Sequence, residues 1–123
     1  MQSDLDEDAR RLVERVDVVR RPSDLDLLIF FARHPRTLLA SEQLAAFLGY
    51  GANEIDASLD TLVGARLITR TATPLLAARL YELPVDHPTR GGWLPALLQL
   101  ASTREGRLAL LRALRRARER DNA

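Results

Sequence analysis

The chain has 123 residues, of which 46% are hydrophobic, and it contains no cysteine. This length suffices for one hydrophobic core without staples, while the missing cysteine excludes disulfides and thiolate metal sites and fits a cytoplasmic location. The net charge of +1 sets 18 arginines, with no lysine, against 17 acids. No apolar run approaches the roughly 20 residues of a membrane span, and the acidic start MQSDLDEDARR is not a signal peptide.

The charge is unevenly placed. Residues 37–65 hold Glu42, Glu54, Asp56 and Asp60 and no base, whereas residues 104–123 hold seven arginines against Glu105, Glu119 and Asp121.

In chain order, residues 4–20 fit an amphipathic helix, with Leu5, Ala9, Leu12, Val13, Val16 and Val19 at steps of three and four. Acids crowd its first turns and arginines its end, as the helix dipole favours. Pro22 stops it, Ser23 is expected as the next N-cap, and residues 24–34 are expected to form an apolar core helix ended by His34-Pro35. A short helix from Ser41, also read as an N-cap, buries Leu44, Ala45, Phe47 and Leu48 and closes at Gly49. After the turn Tyr50-Gly51-Ala52, Asn53 is expected to cap a helix over residues 54–64 that points Ile55, Leu59, Leu62 and Val63 inward.

Beyond Gly64, LITRTAT and AARLYEL read as two strands of a hairpin with Pro74, Leu75 and Leu76 at its tip. Residues 84–92 form a loop. Trp93 opens a further helix, with Pro95 tolerated in the first turn. Ser102 and Glu105 match the capping-box spacing ahead of a last helix over residues 103–119. That helix buries Leu108, Leu110, Leu111, Ala113, Leu114 and Ala117 and turns Arg107, Arg112, Arg115, Arg116 and Arg118 outward.

The stretch ASLDTLVGARLITR, with Leu59, Leu62, Gly64, Leu67, Ile68 and Arg70, resembles the end of the recognition helix and first wing strand of bacterial winged helix-turn-helix transcriptional regulators of the multiple-antibiotic-resistance and arsenic-sensor types. Ser41-Glu-Gln-Leu-Ala resembles the first helix of that motif, and the resemblance covers residues 23–84. It implies a mainly α fold with a small β-hairpin, a winged helix-turn-helix core over residues 23–84, an N-terminal helix over residues 4–21 and C-terminal helices over residues 92–120 that dimerise. It also implies that Asn53, Glu54, Ala57, Ser58 and Thr61 face bases of double-stranded DNA and that Arg66, Arg70 and Arg79 face phosphates. Leu12, Val16, Leu97, Leu108, Leu111 and Leu114 are the candidate dimerisation residues, since an obligate interface resembles a core cut in half.

Two departures from the regulator pattern open a second reading. The helix-turn-helix proper is net −4 between residues 37 and 65, whereas DNA affinity rests on cations that neutralise phosphates. The expected wing tip is apolar, which suits a protein contact. The alternative is therefore a winged-helix protein-interaction module using Glu54, Asp56, Asp60, Pro74, Leu75 and Leu76.

Catalysis has little support. His34 and His87 each precede a proline without a local partner, Gly91-Gly92 lacks a phosphate-loop context, and no cofactor or metal is expected. Glu54, Asp56 and Asp60 are more simply a solvated face than a cation site. Trp93 is more simply an anchor for its helix than a stacking platform. The arginines of the last helix fit DNA flanks, an acidic protein, an acidic helix of a second copy, or a solvated face whose stems cover apolar surface.

Overall fold

The computed structural model describes residues 2–72, 79–83 and 92–121. The elements are α1 (Gln2–Arg15), α2 (Pro22–Arg33), β1 (Arg36–Leu39), α3 (Ser41–Leu48), α4 (Ala52–Gly64), β2 (Thr69–Ala72), β3 (Arg79–Glu82), α5 (Trp93–Leu100) and α6 (Arg104–Asp121). The described residues are mainly helical, with one small antiparallel sheet in the order β1-β3-β2. They divide into two compact units, Ser23–His87 and the combination of Met1–Pro22 with Pro88–Ala123.

In the Ser23–His87 unit, β3 pairs on both sides, with Arg36↔Glu82 and Leu38↔Leu80 toward β1 and Arg70↔Tyr81 and Thr71↔Leu80 toward β2. The two expected strands therefore belong to a three-stranded sheet with β3 at its centre, and β1 is the strand not expected from the sequence. Its four residues are too short for a period-2 pattern to stand out, and pairing with β3 holds them extended. The Leu83 amide adds one more bond, 2.9 Å to the Pro35 carbonyl. Alternation along β3 turns Tyr81 inward, 1% exposed, with its ring 5.7 Å from that of Phe31.

Several helix starts differ from expectation by a residue or two. Pro22 takes the first position of α2, where its missing N–H costs nothing, so Ser23 lies inside the first turn and is not the N-cap. Ala40 rather than Ser41 caps α3, with extended φ and ψ of −82° and 153°, and its amide donates to Gln43 Oε1 at 2.8 Å. Gly51 rather than Asn53 caps α4. Gly49 closes α3 as expected, in the left-handed region at φ 82°. Two faces also differ. Phe47, expected inside, is 72% exposed, and Leu108 is 39% exposed.

The C-terminus of α4 ends in a Schellman arrangement. The Leu67 amide reaches back to the Leu62 carbonyl and the Arg66 amide to the Val63 carbonyl, both at 3.0 Å. Arg66 therefore occupies the position that glycine usually fills and takes φ 63°. Gly64 stands two residues too early to serve there.

The helical unit is built from α1, α5 and α6. The first helix ends at Arg15 rather than near residue 20, because the Val16-Asp17-Val18-Val19 run is rich in β-branched residues, which lower helix propensity. Val16 and Val19 remain buried. The cap of α6 is Thr103, whose Oγ1 accepts from the Gly106 amide at 3.0 Å, while the expected cap, Ser102, donates to the Gln99 carbonyl at 2.6 Å. A Cβ on Gly106 would fall 1.8 Å from the Leu100 carbonyl oxygen, so only glycine permits that approach. On α1, Arg10 bridges Glu7 at 2.5 Å and Glu14 at 2.9 Å. The hydrogen bond from Arg10 holds the Glu7 carboxyl below the usual carboxylate range.

Candidate functional site

The candidate surface is the outer face of α4 with the adjoining end of the sheet. The inner stripe of α4 is Ile55, Ser58, Leu59 and Leu62, at steps of three, one and three, and all four are buried. The opposite face is set by exclusion. It carries exposed Asn53, Glu54, Asp56, Asp60 and Thr61, with Ala57 half-buried.

Ser58 does not belong to this face. It is fully buried and its hydroxyl lies 2.6 Å from that of Ser23 on α2, so the expectation that Ser58 faces bases is corrected. The signal was present in the sequence, since residue 58 falls three positions after Ile55 and four before Leu62, on the apolar stripe. A buried hydroxyl needs a partner, and the two serines supply each other.

The charges on this face are all negative. The carboxylates of Glu54 and Asp56 make no ion pair among the described residues. Asp60 accepts from Arg70 at 3.0 Å, with side-chain exposures of 68% and 27%. Arg70, expected on phosphates, is thus engaged by the helix. Strand alternation explains this, because Arg70 lies opposite inward-facing Tyr81 while Thr69 and Thr71 point outward. Parity with buried Ile68 was the available sequence signal. Arg36 likewise pairs with Glu82 across the sheet, at 3.5 Å.

Arg66 and Arg79 are exposed, and neither makes an ion pair among the described residues. The Thr61 hydroxyl donates to the Ala57 carbonyl at 2.9 Å. Across residues 23–87 five arginines meet eight acids, net −3, which leaves the whole unit unfavourable to a polyanion.

Other candidates fall elsewhere. Pro74, Leu75, Leu76 and His87 lie outside the described residues. His34 is exposed and its ring lies 4.8 Å from that of Phe30, which in turn meets exposed Phe47 edge-on at 5.5 Å. Of the dimerisation candidates, Leu12, Val16, Leu97 and Leu114 are buried within the single chain. Their expected role as open dimer contacts is corrected, since a side chain already inside a core is not offered to a partner. Leu108 remains exposed and Leu111 half-buried. No His, Cys, Asp or Glu side chains gather in threes for a metal among the described residues, and no helix of the described residues is long and apolar enough to cross a membrane.

Comparison with protein-family models, with curated proteins and with solved structures found no match to this chain.

Proposed function

We propose that the Ser23–His87 unit is a winged-helix module that uses the acidic outer face of α4 to dock a basic protein surface. The element order α2-β1-α3-α4-β2-β3 and the strand order β1-β3-β2 support the winged-helix reading of the fold. The observation that carries the function is the Asp60–Arg70 bond. It ties the sheet's inward cation to the helix, and it leaves Glu54 and Asp56 as free anions on a face with no base. A DNA reader needs the reverse, cations that displace counterions from phosphates and a side chain that donates to guanine. Rim charges of one sign instead steer an oppositely charged protein and select against wrong partners.

Binding to double-stranded DNA, as a dimeric transcriptional regulator, is the second reading. Arg66 and Arg79 favour it, since both are exposed and neither makes an ion pair among the described residues. On this reading they touch phosphates while Asn53 and Thr61 face the groove.

Affinity capture with the wild type and a Glu54→Arg/Asp56→Arg chain in parallel tests the first reading. It expects a protein retained by the wild type at low salt and lost both on charge reversal and at high salt. Retention of the same proteins by both chains overturns it.

A further inference from the structure

In the helical unit, a groove of about 400 Å³ runs between α1 and α6. Its apolar lining is half-buried Val13 from α1, with Ala113, 7% exposed, and the fully packed Ala109 beneath it on α6. The two alanines stand one helical turn apart and offer only methyl groups, which is why space remains. The volume falls within the range of small-molecule pockets, about 300–1,000 Å³.

Four guanidiniums line the groove: Arg10, Arg112, Arg116 and Arg120. Two of them are already engaged. Arg10 serves Glu7 and Glu14, and Arg112 holds Asp6 at 2.7 Å. The second carboxylate of the lining, Glu119, pairs with Arg115 at 3.4 Å. Arg116 and Arg120 are thereby left as cations with no ion pair among the described residues. They lie one turn apart on α6, close enough for both to meet one anionic group.

We propose that this groove binds an amphipathic organic anion, with its apolar body against Val13 and Ala113 and its anionic head between Arg116 and Arg120. Both halves of the ligand are specified by the lining. An inorganic anion leaves the apolar floor wet, and a neutral hydrocarbon leaves the two arginines uncompensated. The site lies on a different unit from the acidic face of α4 and does not depend on the function proposed for that face.

Calorimetric titration of the full chain with octanoate tests the proposal, with octanol as the probe lacking the charge and inorganic phosphate as the probe lacking the apolar body. Octanoate should saturate at one equivalent per chain and bind more tightly than either control. Arg116→Gln/Arg120→Gln, at exposed positions, should weaken octanoate by about ten-fold or more, the scale of a lost charge-assisted hydrogen bond. Ala113→Leu should fill the floor and abolish binding. If circular dichroism shows that Ala113→Leu does not fold, the arginine pair decides alone. Octanol or phosphate binding as tightly as octanoate overturns the proposal, as does an unchanged affinity in the arginine variant or no saturable binding at all.

Discussion

Arg70 on β2 donates to Asp60 on α4 across 3.0 Å, so the strand that follows α4 returns a cation to the helix instead of presenting it outward. The pair is exposed on the Asp60 side, 68%, and half-buried on the Arg70 side, 27%. Solvent screening keeps such a pair weak, within about 1 kcal/mol. Asp60→Asn should therefore change unfolding free energy by less than about 1 kcal/mol, measured by urea denaturation. A loss of several kcal/mol would mean that the pair holds the fold and not only the charge pattern of the face.

The hydroxyls of Ser23 and Ser58 form a closed buried pair, 2.6 Å apart. Ser58→Ala leaves Ser23 without its partner and should cost about 1–3 kcal/mol. Removing both hydroxyls removes the orphan as well, so the Ser23→Ala/Ser58→Ala chain should be more stable than Ser58→Ala alone. A double-mutant cycle by chemical denaturation measures this coupling. Strict additivity would show that the two hydroxyls act independently.

Arg66 sits in the left-handed region at φ 63°, where a side chain costs about 1–2 kcal/mol. Arg66→Gly should raise stability by about 1 kcal/mol, visible as a higher denaturation midpoint with an unchanged slope. Arg66→Val should lower it. An arginine held at a strained helix end is also the kind of outlier that points to a surface role. On the second functional reading, Arg66→Gly weakens duplex DNA while stabilising the fold.

Gly106 permits the close approach of α6 to the Leu100 carbonyl, where a Cβ would stand 1.8 Å away. Gly106→Ala should destabilise by about 2–3 kcal/mol, since the obstacle is backbone and cannot rotate aside. An equilibrium denaturation curve close to that of wild type would contradict this.

Much of the fold was legible in the sequence. The six helices announced themselves through apolar steps of three and four, and Gly49 marked its helix end. The missed β1 had no signal of its own, because four residues become a strand only through β3. Cap positions slipped at Ala40 and Gly51, since neither residue makes a side-chain cap bond for a cap preference to reveal. The acid excess of α4 was plain from composition. Which cation answers Asp60 was not, because that depends on which face of β2 carries Arg70. Ser58 was misplaced because the regulator resemblance set it among the base-facing residues, while its spacing placed it on the apolar stripe. The two-unit division hides from a sequence because the helical unit is assembled from both ends of the chain.

On the protein-docking reading, the outer face of α4 opposes a polyanion. Fluorescence anisotropy with a random duplex at low salt, comparing wild type with Glu54→Gln/Asp56→Asn/Asp60→Asn, tests it most directly. The wild type should bind weakly and the neutralised chain more tightly, with the gain vanishing as salt rises. Tight, steeply salt-dependent binding by the wild type that is lost in Asn53→Ala or Thr61→Ala would contradict it and install the DNA-reading function instead.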